Sequence, residues 1–337
     1  MSSEGNGRIR LVFIALACCG AGLFIFLLHR AGIGDVERAI AAARWGVLAV
    51  IVFHLVPLFM DTLTWWNLFP RKDRPSLPAA FRMRWMGESV SYLLPLSSVG
   101  GDIVRARLAA LKGAPAGIAA ATVLADITLG IVVQTVFTLT GVLLLVHATG
   151  ERDILVPLLG GAALAVLAVG GFYAAQRYGM FRILGALVKR IARDPSWHAL
   201  ADKGGGIDDA VRAVYGRKRA VAVSCLCTLG AWRASSAEVW IALRAAGLDV
   251  SFDKAIILES MSQGIRAMMF FIPGALGVQE GGYMAVGKLI GIPADVALAL
   301  ALIRRARELA LGIPGVAAWV LGEGHRLWRN VAAQPSE

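Results

Sequence analysis

The chain has 337 residues, 57% of them hydrophobic, with a formal net charge of +11 and a mean hydropathy of +0.66. Soluble domains hold roughly 45–50% apolar residues. The composition and its long apolar runs therefore exclude an ordinary soluble domain and indicate an all-α, polytopic integral membrane protein. The runs lack the short-period alternation of an outer-membrane barrel. The basic residues gather in connecting loops with no binding motif around them, so nucleic acid is not an expected partner.

In chain order, Arg8 and Arg10 precede an apolar run, 11–28, that is too long for a signal peptide and ends in His29-Arg30 without a small-residue cleavage site. It reads as an uncleaved first span. Further spans are expected at 45–66, 116–147, 153–175, 219–243 and 294–321, six in all. Two other apolar stretches, 80–112 and 255–290, are broken by Pro and Gly. They read as re-entrant helical hairpins, with full spans as the alternative. Lys and Arg concentrate in the N-terminus, in 67–84, after Arg105, in 176–219 and in the tail. All these fall on one side if the two stretches re-enter, which puts both termini in the cytoplasm of a bacterial inner membrane.

That layout divides a single membrane domain, 1–337, into half-repeats 11–147 and 153–321 of opposite orientation, joined by a cytoplasmic linker, 176–218. Inverted duplication with broken helices in corresponding positions is a transporter architecture. The broken segments share a pattern. Glu88-Ser89 precedes Pro95 in the first and Glu259-Ser260 precedes Pro273 in the second; an acid follows seven residues after each proline, Asp102 and Glu280.

Charge inside a bilayer is costly and tends to be functional. The first cluster holds Arg84, Glu88, Ser89, Asp102 and Arg105, with Arg84 and Glu88 on one helical face and Asp102 expected to start a helix as its cap. The second holds Glu259, Gln263, Arg266 and Glu280. Asp126, Arg233, Glu238, Arg304 and Glu308 lie within spans, Arg304 and Glu308 at pairing distance of four. Arginines would meet phosphate or another anion; the acids would meet an amine, carry protons or hold the arginines. Pro95, Gly100, Gly101, Pro273, Gly274 and Gly277 would serve as hinges. Asp61, near Trp65 and Trp66, reads as an interfacial residue.

Other chemistry finds no support. The chain carries no Gly-x-Ser-x-Gly elbow, Walker loop or His-Glu-x-x-His. His29, His54, His147, His198 and His325 form no metal spacing, and Cys18, Cys19, Cys225 and Cys227 read as small buried apolar residues. Neither an enzyme nor a cofactor nor a metal is expected.

The motifs Arg84-Trp85-x-Gly87-Glu88-Ser89, Leu94-Pro95, Gly100-Gly101-Asp102 and Arg105, with Pro273-Gly274-x-x-Gly277 and Glu280-Gly281 far downstream, resemble the lysylphosphatidylglycerol synthetase membrane-domain family, the flippase-like proteins. The resemblance covers nearly the whole chain. It implies movement of a lipid or lipid-linked molecule between leaflets, with membrane lipids as partners. Full-length synthetases of that family carry an aminoacyl-transferase domain after the membrane domain. This chain ends at Glu337, so aminoacyl-lipid synthesis is not expected of it. Its length is similar to that of the hopanoid-biosynthesis-associated branch. Two other classes stay open: a scaffold for lipid-biosynthesis enzymes, and a lipid-modifying membrane enzyme.

Overall fold

The computed structural model describes residues 41, 45–93, 97–150, 160, 166–167, 170–180, 204–268 and 277–332. These are all-helical, with no strand among the described residues. The helices are α1 (Trp45–Phe53), α2 (Leu55–Asn67), α3 (Leu77–Leu93), α4 (Ser97–Leu111), α5 (Ala116–Thr149), α6 (Gly204–Gly216), α7 (Lys218–Ala245), α8 (Phe252–Met268), α9 (Val278–Leu289) and α10 (Ala294–Ala332).

The expected segments 45–66, 116–147, 219–243 and 294–321 are all helical. By length and composition, two helical stretches among the described residues are apolar enough to cross a membrane, Trp45–Asn67 and Ala116–Thr149. The other two carry charges along their length, Arg233 and Glu238 in α7 and Arg304, Arg305, Arg307 and Glu308 in α10. The first expected span, 11–28, and most of 153–175 lie outside the described residues, as do Pro95, Pro273 and Gly274.

Each broken stretch is two helices packed on each other: α3 on α4, and α8 on α9. Gly277 has φ +75°, and α9 begins directly after it; the left-handed conformation suits glycine. Pro57 interrupts the Trp45–Asn67 stretch. It has no N–H to offer the carbonyl one turn back, that of Phe53, where α1 ends. The chain continues through His54, whose backbone N–H donates to Val50 and whose carbonyl accepts from Leu58. At its other end α2 stops on arginines. Arg74 and Arg217 donate to the last carbonyls, Arg74 to Asn67 and Phe69, Arg217 to Leu68 and Phe69. Cations there satisfy free carbonyls and oppose the helix dipole.

The packing is reciprocal. α2 crosses α7, with Met60 against Gly230. α3 packs on α10, and α8 on α5. α4 packs on α5, and α9 on α10. The contacts correspond in detail: Ser89 of α3 meets Gly315 of α10, and Ser260 of α8 meets Gly141 of α5; four residues on, Leu93 meets Gly312 and Gly264 meets Thr138. Small residues let these backbones approach closely, as helices in membranes require. Part of the linker is described too. α6 lays Val211 and Val214 against Ala121, Ala125 and Leu129 of α5, and Tyr215 donates to Gln176, which donates to Thr128.

Candidate functional site: a charged cavity between the two hairpins

A cavity of about 470 Å³ lies between the hairpins, lined also by α2 and α7, which cross beside it. Its wall carries Asp61, Arg84, Glu88, Asp102, Arg105, Asp126, Gln263, Arg266 and Arg304, with Ile127, Ile131 and Trp232 forming an apolar side. Side chains from α2, α3, α4, α5, α7, α8 and α10 therefore converge on one space.

The first-hairpin end is a network of ion pairs. Asp126 of α5 accepts from Arg84 at 2.8 Å and from Arg105 at 2.7 Å. Arg105 also donates to Asp102 at 2.6 Å, and Arg84 lies 3.5 Å from Asp61. Gly101 seats α4 on α3: a Cβ there would lie 2.0 Å from the Gly87 carbonyl oxygen. That contact brings Asp102 and Arg105 to the same wall as Arg84.

The second-hairpin end is more deeply closed. Glu259 is fully buried and takes three donors: Arg304, Tyr283 at 3.0 Å and Gln263 at 3.0 Å. Arg266 is placed differently. Its guanidinium is 3.9 Å from Glu308 and 5.4 Å from the Tyr92 ring centroid, too far for a hydrogen bond to either.

At the centre, His54 bridges the hairpin α3 to α7. Its Nε2 is 3.1 Å from Glu88 and its Nδ1 is 2.9 Å from Glu238. Arg307 of α10 reaches both Nδ1, at 3.0 Å, and Glu238.

Several expectations are corrected by this geometry. Asp102 does not begin a helix; α4 starts at Ser97, and Asp102 sits a turn inside, paired with Arg105. Gly100 and Gly101 likewise lie within α4 and not at a turn, and Gly101 is a packing contact. Arg84 and Glu88 share a face but not a partner, because Asp126 and Asp61 claim one and His54 the other. Arg304 turns to Glu259, while Glu308 takes Arg305 at 2.9 Å. Glu280 is buried outside the cavity wall, 3.1 Å from Arg305. Ser89 is also off that wall, donating to the carbonyl of Trp85. Arg233 is exposed and faces Phe252 at 6.0 Å, away from the cluster.

Two site residues escaped the sequence reading. Asp61 lines the cavity with Arg84, and His54 lies at its centre. The signal for His54 was present: a lone histidine in an apolar run, three residues before a proline that must break the helix ladder there.

Among the described residues the chain is an all-helical bundle with a charged cavity where two hairpins meet. Residues 9–315 match the family described as the lysylphosphatidylglycerol synthase TM region, and the chain belongs to that family. It is also 25% identical over 326 residues to a UPF0104 membrane protein of Methanothermobacter thermautotrophicus, covering 90% of this chain and 89% of the relative. No solved structure matches it. Membership of a membrane-region family agrees with the composition and places the protein in lipid surroundings.

Proposed function

We propose that this protein moves the charged headgroup of a lipid between leaflets of the bacterial inner membrane, the acyl chains remaining in the bilayer. The supporting observation is the cavity: its volume lies within the roughly 300–1,000 Å³ of small-ligand sites, and its wall carries arginines from both hairpins beside acids from α2, α5 and the first hairpin. Such a wall offers a headgroup solvation that the bilayer lacks. Arg266 is the anion contact in this reading, because its pairing to Glu308 is loose and its guanidinium borders the cavity. Asp102 and Asp61 at the opposite end suit an amine where the headgroup has one.

The reciprocal packing supports two inverted halves, 11–147 and 153–321, with α3–α4 and α8–α9 as re-entrant hairpins entering from opposite faces. The basic connections then face the cytoplasm. Rocking of one half against the other would expose the cavity to each leaflet in turn.

The test is lipid movement in proteoliposomes, read by chemical quenching of fluorescent phospholipids and by matched vesicles containing hopanoid or aminoacylated lipid. Wild type is expected to accelerate movement of at least one charged lipid. Arg266→Gln is expected to slow it by about tenfold or more, since one charge-assisted hydrogen bond is worth about 1.5–3 kcal/mol. Wild-type protein that moves none of these lipids would shift the reading to a scaffold or a lipid-modifying enzyme.

A further inference from the structure

The cluster around His54 does not balance in its simplest protonation state. A neutral imidazole has one N–H and one lone pair. Here each ring nitrogen faces a carboxylate oxygen: Nε2 faces Glu88 at 3.1 Å and Nδ1 faces Glu238 at 2.9 Å. With a neutral ring, at least one nitrogen lone pair must oppose an anionic oxygen. Arg307 offers Nδ1 a donor at 3.0 Å, which satisfies that lone pair but leaves Glu238 beside it. Glu88, Glu238 and Arg307 with a neutral His54 sum to one negative charge; one added proton brings the cluster to zero. Glu238 and Arg307 are each about 1% exposed, and a buried uncompensated charge is costly.

Neighbouring charges do not cancel that deficit. On α2, Asp61 is taken by Arg84 of α3. Arg84 also holds Asp126 of α5. On α10, Arg304 is taken by Glu259 of α8, and Glu308 is taken by Arg305, with Arg307 of the cluster itself at 3.7 Å and Arg266 of α8 at 3.9 Å, so Glu308 adds no positive charge to the cluster. Tyr92 of α3, beside Glu88 on the cavity wall, is neutral as a phenol. α1, on the other side of His54, carries no ionisable group.

We infer that Glu88, His54 and Glu238 form a proton-binding site, sharing one proton that enters and leaves through Glu88 from the cavity. Two arrangements are open to the cluster. In the loaded state both ring nitrogens donate, to Glu88 and Glu238, and Arg307, whose Nη1 lies 3.0 Å from Nδ1, turns its N–H away from the ring and donates to Glu238 alone. In the empty state Nε2–H donates to Glu88, and the Nδ1 lone pair accepts from Arg307. Glu88 is the gate because its side chain is 17% exposed and lines the cavity, whereas Glu238 is closed off at 1%. The ring links α3, of the first hairpin, to α7 and α10, so its proton content sets how tightly the hairpin is held to the other half. On the lipid-translocation reading above, that proton is the coupling ion.

The proton is observable without transport. Full-length protein in nanodiscs, labelled with ¹⁵N-histidine, would be examined near pH 7, with the His54 signal assigned by its loss in His54→Gln. Infrared difference spectra would be taken beside it. The expected result is a doubly protonated His54 ring, or a protonated-carboxyl band that disappears in Glu88→Gln or Glu238→Gln. A singly protonated ring with no such band overturns the site. Folding of each variant is checked by size-exclusion elution, and Glu88→Asp, which keeps the carboxylate, is expected to retain the proton. Transport is then measured with and without a pH gradient in wild type. A rate that changes at least threefold, with that response lost in Glu88→Gln, supports coupling. A proton present with gradient-insensitive transport overturns coupling and leaves the translocation reading standing. Wild-type protein that moves no lipid sinks the translocation reading, while the spectroscopic result still decides the proton site.

Discussion

The two hairpins share a scaffold and differ in chemistry. Both pack a Glu-Ser pair against a helix of the other half, and both place an acid on their second helix, Asp102 and Glu280. Asp102 borders the cavity with its side chain 25% exposed, whereas Glu280 is wholly buried and outside that wall. The glutamates diverge in the same way: Glu88 opens to the cavity and to His54, and Glu259 is closed in by three donors. On the proton-site proposal, these shared packing contacts with divergent side-chain surroundings make the second hairpin the one that anchors charge and the first the one that exchanges it.

The largest expected effect tests that contrast through stability. Glu259→Ala leaves Arg304 buried without its carboxylate, and breaking such a pair costs about 3–5 kcal/mol. Asp102→Asn keeps an acceptor for Arg105, which also retains Asp126, so the cost should stay below about 1 kcal/mol. Thermal unfolding in one detergent compares the two directly. Equal losses would remove the distinction between an anchoring and an exchanging hairpin.

Next come the close approaches. Gly101→Ala would place a Cβ 2.0 Å from a backbone oxygen, that of Gly87, and Gly141→Ala would place one 1.7 Å from the side-chain oxygen of Ser260. Overpacking of this kind costs about 1–3 kcal/mol. The two should part on rescue. Ser260→Gly is expected to recover most of the Gly141→Ala loss, because the clash is with a removable side chain. No single truncation at Gly87 or Ser91 removes the backbone clash at Gly101. Full recovery of Gly101→Ala by Ser91→Gly would show that the first hairpin yields more readily than its packing suggests.

Much of this arrangement was legible in the sequence. Apolar runs placed the helices, and Pro95 and Pro273 marked stretches that do divide into two helices each, whereas Gly100 and Gly101, expected as hinges, proved to lie within α4. The grouping of Arg84, Asp102 and Arg105 was foreshadowed by the cost of charge among apolar residues, whereas Asp126 read only as an isolated acid within a span. Partner choice was not legible. Arg304 had Glu308 four residues away and took Glu259, which tertiary packing brings to it from α8. His54 meets Glu88, Glu238 and Arg307 from three different helices, and nothing within its own helical turn announces any of them.

The charge contrast can be sharpened by function. Asp102→Asn is expected to slow lipid movement severalfold, since Asp102 faces the space proposed for the headgroup. Glu280→Gln keeps an acceptor for Arg305 and lies outside the wall, so movement per folded molecule should stay close to wild type even where loss of the buried carboxylate lowers stability. Rates normalised to protein recovered in vesicles would check this. A collapse in Glu280→Gln alone would transfer the exchanging role to the second hairpin.

The smallest expected effect concerns how each hairpin is pinned. Pro314 withholds a donor from the ladder of α10. One residue past the carbonyl that loses it, the Leu311 carbonyl accepts from Trp85 Nε1 at 2.9 Å and lies 3.5 Å from Ser89 Oγ. In the corresponding contact, Thr138 of α5 reaches the Ser260 carbonyl at 3.4 Å, a longer bond made by a hydroxyl. Trp85→Phe keeps most of the apolar area and deletes the donor, so it should cost about 0.5–1.5 kcal/mol. Thr138→Val should cost less at this contact, because the bond to the Ser260 carbonyl is near the limit of hydrogen-bond length, and the other bond it deletes, from Gln134 at 3.2 Å, lies within α5. Amide hydrogen exchange localises both effects: Trp85→Phe should speed exchange along α3, and Thr138→Val should leave α8 close to wild type. The reverse order would mean that the anchoring hairpin is held by its contact with α5, and not by the Glu259 network buried behind it.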